Sequence, residues 1–181
     1  MQIRSTKSTH FIALVLYAGS LSMSAAEAAA PKKYAFVTTD TMAEDGHKLT
    51  RIRRLSDGVL GGYIESENNL SQTGASFLDD KSRAFGQARI TDDAQLHGLA
   101  RDSGQLSGRS AVYGAVSGNG QVKDNAVVYG QVYDNGIVDE NATVNGQVFG
   151  NGRVGGHAKV YGRVSGNASI GGDETIYGDR Q

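Results

Sequence analysis

The sequence predicts an all-β protein: a single-stranded, three-sided β-solenoid of the left-handed β-helix type, with sixteen-residue coils and an N-terminal β cap. Three observations carry this prediction. Aliphatic residues recur at spacings of 4, 6 and 6, a small residue lies two positions before nearly every one of them, and 25 glycines accompany a single proline. Gly-rich composition is typical of disorder, but a periodic glycine pattern indicates a repeat fold.

The aliphatic period runs without a slip through the C-terminal half of the chain. One unit is sixteen residues long, as in residues 112–127. Because residues i and i+2 of a strand face the same side, each short strand turns one small and one branched side chain inward. The same spacing places no continuous apolar stripe on a helix, so a helix is a poor alternative. The period comprises Val112, Val116, Val122, Val128, Val132, Val138, Val144, Val148, Val154, Val160, Val164, Ile170 and Ile176.

Turn-forming residues fill the corners between the predicted strands. Because Asn tolerates positive φ at a turn, we expect the corner asparagines to adopt left-handed angles and to bond to one another between coils. The third corner carries Gly in every unit, which indicates either backbone angles or crowding that only Gly permits. The asparagine columns are Asn119, Asn135, Asn151, Asn167 and Asn125, Asn141; the glycine column is Gly98, Gly114, Gly130, Gly146, Gly162, Gly178.

The two ends of the repeat differ from its middle. Residues 29–62 predict a β-hairpin-like cap with strands at 34–38 and 49–55, and residues 63–181 form the solenoid domain, with room for about seven coils at the usual strand spacing. The first coils, near Ile64 and Leu78, are out of strict phase. At the other end Glu174 occupies the slot that alanine fills in earlier coils, and with Asp173 and Asp179 it predicts a charged stop against edge-to-edge growth.

Residues 1–28 have the features of an export signal. Arg4 and Lys7 precede a short apolar run at 11–18, and the Ala26-Glu27-Ala28 triplet fits a signal-peptidase site. The run is shorter than the roughly 20 residues that a membrane-spanning helix needs. We therefore expect cleavage after Ala28 and a periplasmic or secreted mature chain without a stable membrane anchor, the alternative being an uncleaved anchor. A lipid anchor is not expected because the chain has no cysteine.

Charge and composition exclude several classes of function. Eighteen basic and nineteen acidic residues give a net charge of -1, so neither nucleic acid nor an anionic membrane is expected as a partner. The absence of cysteine excludes disulfides, thiolate metal sites and a cysteine nucleophile. Acidic corner residues such as Asp124 and Asp139 do not recur in the pattern of calcium β-rolls, so no metal and no cofactor is predicted.

Two stretches of the sequence resemble a known family. The segment GGYIESENNLS at 61–71 and the repeats VYGRV at 160–164 and SGNASI at 165–170 resemble the YdcK-like family of phage and bacterial β-solenoid proteins. The resemblance covers about residues 32–178 and implies a capped solenoid. Members are often labelled acyltransferases because their repeats are similar to hexapeptide-repeat transferases, but a shared fold does not establish a shared activity.

An acyltransferase would need a general base, usually His, in a cleft between neighbouring subunits of a homo-oligomer. Residues 29–181 offer His47, His97 and His157. No catalytic residue is predicted beyond His157 as a candidate, and its replacement of Asn in a corner column favours a solvated corner instead. No long loop interrupts the coils to form a substrate cleft. We therefore favour an exported, non-catalytic solenoid serving as a rigid structural or interaction module, with an acyltransferase at a subunit interface as the alternative.

Tyrosines form the candidate binding site. They recur in one corner column, which is interrupted once, by Asn145. Stacked tyrosines can simply shield a narrow corner, but exposed Tyr is also favoured at interfaces. The column therefore predicts a binding ridge for a protein or glycan partner, formed by Tyr113, Tyr129, Tyr161 and Tyr177.

Overall fold

The computed structural model describes residues 30–181, and the predicted export signal lies outside the described residues. Apart from one short 3-10 turn at Glu67–Asn69, all regular structure in this part of the chain is β. The strands are β1 (Tyr34–Glu44), β2 (His47–Arg54), β3 (Leu60–Ile64), β4 (Phe77–Leu78), β5 (Arg83–Ala84), β6 (Arg89–Ile90), β7 (Gln95–Leu96), β8 (Leu99–Ala100), β9 (Gln105–Leu106), β10 (Ala111–Val112), β11 (Ala115–Val116), β12 (Gln121–Val122), β13 (Val127–Val128), β14 (Gln131–Val132), β15 (Ile137–Val138), β16 (Thr143–Val144), β17 (Gln147–Val148), β18 (Arg153–Val154), β19 (Lys159–Val160), β20 (Arg163–Val164), β21 (Ser169–Ile170) and β22 (Thr175–Ile176).

Three parallel sheets form the three sides of a solenoid. Side 1 has the order β3-β5-β8-β11-β14-β17-β20, side 2 the order β6-β9-β12-β15-β18-β21, and side 3 the order β4-β7-β10-β13-β16-β19-β22. In the regular part each residue pairs with the residue sixteen positions later, as Ala115 does with Gln131. The seven strands of side 1 correspond to about seven turns. The prediction of an all-β, three-sided solenoid with sixteen-residue coils is therefore confirmed.

The core consists of small and branched side chains that all three sides direct towards the axis of the solenoid. The second residue of each two-residue strand is buried, and Val116, Val122 and Val128, one from each side, are inaccessible to solvent. The inward small residues, such as Ala126 and Ala142, are equally buried. Burying a Val side chain stabilises the fold by about 1.5–3 kcal/mol relative to its exposure, so every coil that stacks on its neighbours adds to the stability of the solenoid.

The first coil is longer than the others, as its irregular phase predicts. Ile64 pairs with Ala84, twenty residues later, and Leu78 pairs with Leu96, eighteen residues later. The extra residues lie in two corners of the first coil, one before β4 and one between β4 and β5. Insertions at corners leave the inward strand residues in place, so the core continues through the irregular coil.

An antiparallel hairpin covers the first coil. Strands β1 and β2 join through a turn at Asp45 and Gly46, both with positive φ, and β2 pairs antiparallel with β3. The buried Tyr34 hydroxyl donates to the Leu70 carbonyl oxygen at 2.8 Å. Lys33 Nζ donates to the Ser76 carbonyl and hydroxyl oxygens at 2.7 and 2.9 Å, and burial lowers the pKa of Lys33 to about 8.

Crowding between coils explains the glycine column. A Cβ on Gly114 would lie 1.8 Å from the carbonyl oxygen of Gly130, which is far inside van der Waals contact. None of the six glycines in this column is among the residues with positive φ. Of the two explanations that the sequence left open, close approach of the next coil is therefore the correct one.

Left-handed backbone angles fall one residue before the corner asparagines, so the prediction that Asn adopts them is wrong. At the corner between sides 1 and 2 the left-handed residues include Gly118 and Asp134, with φ of 58° and 52°. An Asp there accepts a hydrogen bond from the next coil, as Asp134 Oδ2 does from Gly150 N at 3.3 Å. The predicted side-chain ladder is confirmed, with Asn119 Nδ2 donating to Asn135 Oδ1 at 3.1 Å.

The last coil ends in exposed charged residues. Arg163 binds Asp179 at 2.6 Å, and Arg180 forms a parallel bridge with Val164 that continues side 1 by one residue. Asp173 and Glu174 are exposed at the adjoining corner. Within residues 30–181 there is no helix with the length and apolar character needed to cross a bilayer.

Candidate binding surface

The repeat places the tyrosines on the outer surface of side 3. Tyr113 follows directly after β10 and lies two positions after the outward residue Ala111, so both side chains face solvent. Because the strands of side 3 pair at intervals of sixteen, the residues after each strand align in one column. Tyr113, Tyr129 and Tyr161 are each about half exposed, and Tyr177 is 78% exposed. The predicted site residues therefore come together as one surface.

The rings of this column stack in two groups. In the first group, the N-terminal stack, His97 lies on Tyr113 with ring centroids 4.4 Å apart, and Tyr113 lies on Tyr129 at 4.9 Å. In the second, the C-terminal stack, Tyr161 lies on Tyr177 at 5.1 Å. The interplanar angles of 7–12° are those of parallel stacking. The column is thus ordered by contacts between neighbouring rings.

His97 is the member of the column that sequence reasoning left out of the binding site. It shares the sixteen-residue phase of Tyr113, and that phase was the signal that could have included it. Asp79 Oδ2 lies 3.0 Å from His97 Nδ1 and closes the N-terminal end of the stack. Burial alone would raise the pKa of Asp79, but hydrogen bonds from Ser82 and His97 outweigh it and lower that pKa.

Asn145 separates the two stacks. Asn145 directly follows β16, just as Tyr129 follows β13 and Tyr161 follows β19, and its side chain is exposed. Tyr129 and Tyr161 therefore face each other from coils that are two turns apart. Each of these rings stacks on its far side only, on Tyr113 and on Tyr177 respectively.

A second aromatic pair lies at the corner that follows side 1. Tyr133 stacks on Phe149 with ring centroids 4.9 Å apart and an angle of 3°. Tyr133 also lines an open groove of about 420 Å³ on side 1, together with Arg101, Asp102 and Asp134. This groove belongs to a different side of the solenoid from the tyrosine column, and the sequence did not indicate it.

His157 is not arranged as a general base within one chain. Its side chain is 71% exposed at a corner, and its nearest carboxylate oxygen, on Asp173, is 3.9 Å away. A catalytic imidazole normally donates a hydrogen bond to a third group that orients it, and it is placed against its substrate. His47 is held more closely, with Nδ1 3.0 Å from Glu65 Oε1, but its ring packs on Phe85 as part of the cap.

The described residues contain no group of three or more His, Asp or Glu side chains placed to hold a metal ion. No protein-family model matches the chain, and no curated protein sequence matches it either. The resemblance to YdcK-like proteins therefore stays a prediction that rests on the residues of the cap and the repeats.

Proposed function

We propose that the protein is an exported, non-catalytic β-solenoid that acts as a rigid binding module, with the tyrosine column of side 3 as its binding surface for a protein or glycan. The observation that supports this is the column itself: four exposed tyrosines held in register by the repeat, at ring spacings of about 5 Å within each stack. Tyr and other aromatic residues are enriched in the cores of interfaces.

Rigidity strengthens the case for binding. Each coil is joined to the next by backbone hydrogen bonds on all three sides, such as Tyr129 N to the Val144 carbonyl oxygen at 2.8 Å. Ring-on-ring contacts further restrict the rotamers of the tyrosines. A surface that is ordered before binding loses little conformational entropy when a partner docks, and that entropy is one of the main costs of association.

The experiment that tests the binding surface is affinity capture with residues 29–181 as bait, against envelope and culture fractions of the native cells. The double variant Tyr129→Ser/Tyr161→Ser is expected to lose the captured partner while it keeps a cooperative unfolding transition. Tyr133→Ser, which changes an aromatic residue on another side, serves as the matched control and is expected to capture normally. Equal capture by all three proteins contradicts the proposed surface.

Export is supported by the basic, apolar and small-residue segments of residues 1–28. It is tested by mass spectrometry of the protein recovered from the envelope and the medium of its native cells. A mature N-terminus at Ala29 is the expected result. An intact Met1 on protein that remains in the cytoplasmic fraction contradicts export.

A further inference from the structure

The tyrosine column lacks one ring. Asn145 stands where the repeat would place a tyrosine, so Tyr129 and Tyr161 have no ring between them. Two coil spacings separate these residues, which puts their rings roughly 9.6 Å apart. The occupied steps of the column measure 4.4–5.1 Å between ring centroids. The position at Asn145 therefore lies about one ring spacing from the Tyr129 ring and one ring spacing from the Tyr161 ring, which form the two walls of the space.

We propose that this space, between Tyr129 and Tyr161 with Asn145 at its base, is a binding slot for one aromatic side chain of a partner protein. The inference rests on the proposed function, because it assigns a ligand to one position of the same tyrosine column. A bound ring completes the column, stacking on Tyr129 with one face and on Tyr161 with the other. Both walls are already positioned by their stacks on Tyr113 and Tyr177.

The geometry favours a flat ring over a sugar ring. Neighbouring rings in the column are within 12° of parallel at centroid distances near 5 Å, which is the offset stacking that two aromatic rings prefer. An aromatic guest at the midpoint takes up the same distance from both walls. A pyranose chair can pack its axial C–H groups on a tyrosine, but it is not flat and has no π face, so it does not repeat the ring-on-ring stacking of the column.

Residues around the slot favour a ring that also has a polar atom. Asn145 supplies one amide donor group and one acceptor oxygen at the base. Val127, Thr143 and Lys159 lie two positions before Tyr129, Asn145 and Tyr161 on their strands, so they flank the slot on the same face. An indole N–H or a phenol hydroxyl can bond to the Asn145 amide, so we expect Trp and Tyr side chains to bind more tightly than Phe.

A second copy of this chain does not supply the guest ring. Within residues 30–181, the exposed tyrosine rings of the column each stack at least one face on a neighbour of their own chain. The pair Tyr133 and Phe149 is stacked in the same way. A ring that enters the slot must offer both of its faces, which these stacked rings do not, so the proposal assigns the guest to another protein.

The test uses the absence of tryptophan from the chain. Residues 29–181 are titrated into the blocked peptide acetyl-Gly-Trp-Gly-amide, and the tryptophan emission of the peptide is followed without background from the protein. Acetyl-Gly-Leu-Gly-amide and methyl glucoside are added as competitors. We expect saturable binding of the Trp peptide, displacement by its Tyr analogue, and no displacement by the Leu peptide or the glucoside.

The decisive variant is Asn145→Tyr, which fills the slot with the residue that the column uses elsewhere. It is expected to fold at least as stably as the natural chain, because the new ring stacks on both neighbours, and to weaken Trp-peptide binding about tenfold or more, because both stacking faces become occupied. Asn119→Tyr makes the same change at a corner outside side 3 and is expected to bind normally. Absence of saturable binding to the natural chain, undiminished binding by Asn145→Tyr, or displacement by the glucoside overturns the slot.

Affinity capture with Asn145→Tyr separates this inference from the proposed function. If Tyr129→Ser/Tyr161→Ser abolishes capture but Asn145→Tyr does not, the column is the binding surface and the slot inference is wrong. If Asn145→Tyr weakens binding of the Trp peptide, but neither Asn145→Tyr nor Tyr129→Ser/Tyr161→Ser changes affinity capture, the slot inference stands and the proposed function is wrong.

Discussion

A methyl group on Gly130 would lie 1.7 Å from the carbonyl oxygen of Gly146 in the next coil. The same relationship holds along the column, with 1.8 Å between a Cβ on Gly114 and the carbonyl oxygen of Gly130. A Cβ added at these corners therefore points directly into the backbone of the next coil. Between regular coils, this position is thus compatible only with glycine.

Gly130→Ala is therefore expected to be severely destabilising. The added methyl group meets backbone atoms, which cannot rotate away as a side chain can, so the cost should be at least the roughly 3 kcal/mol seen for strong overpacking. Gly178→Ala is the matched control, because it occupies the last position of the same column and a Cβ there has no neighbour within 4 Å. Urea denaturation measures both. Gly130→Ala with the natural free energy of unfolding contradicts the crowding explanation.

The sequence predicted the fold well because the fold is periodic. A spacing of 4, 6 and 6 identifies the inward residue of every strand in the regular coils, which begin at Ala84 and Ile90. The explanation of the glycine column could not be chosen in advance. Crowding depends on where the next coil lies in space, whereas the sequence gives only the neighbours along the chain.

The corners show the same limit. Their recurrence was predicted, but Asn was assigned the left-handed angle that Asp134 and Gly118 adopt one position earlier. A signal for the correct assignment was present, since Gly and Asp recur at that earlier position. For the binding surface, the period aligned the tyrosines, but ring contacts depend on side-chain rotamers. Stacking of His97 on Tyr113 therefore became evident only in three dimensions.

Asp134 combines two effects that substitutions can separate. Its φ is 52°, and its carboxylate accepts a hydrogen bond from Gly150 N. Asp134→Gly loses the hydrogen bond but relieves the angle, because glycine has no Cβ. Asp134→Ala loses the bond and keeps a Cβ in a left-handed conformation, which costs about 1–2 kcal/mol relative to glycine. We expect Asp134→Ala to unfold at lower urea concentration than Asp134→Gly. The reverse order would show that the angle is not limiting.

The stacking energy should be measurable between tyrosines of the same stack and absent between the tyrosines on either side of Asn145. Replacement of Tyr161 and Tyr177 by Ser, singly and together, forms a double-mutant cycle across a stacked pair. The coupling energy is expected to be about 0.5–1.5 kcal/mol, the usual range for aromatic pairs. The same cycle on Tyr129 and Tyr161, which flank Asn145, provides the control and should give a coupling near zero. Substantial coupling across Asn145 would mean that the two stacks are in contact without a guest ring.

Asp139 should make the stability depend on pH in the direction opposite to that of most carboxylates. The residue is 3% exposed, its Oδ2 lies 2.6 Å from Arg153, and its Oδ1 has no hydrogen-bond partner among residues 30–181. Arg153 is half exposed, so solvent weakens the pair, and burial raises the pKa of Asp139 above its ordinary value despite the arginine.

Because the folded state then holds this proton more tightly than the unfolded state, the contribution of Asp139 to stability is present at low pH and is lost as the pH rises through the folded-state pKa. Asp139→Asn cannot ionise and should remove that loss. We expect urea denaturation of the natural chain and of Asp139→Asn to show a stability difference that grows in favour of Asn as the pH increases from about 4 to about 7. A difference that is constant, or that grows in favour of Asp, would mean that Arg153 compensates fully for the burial of the carboxylate.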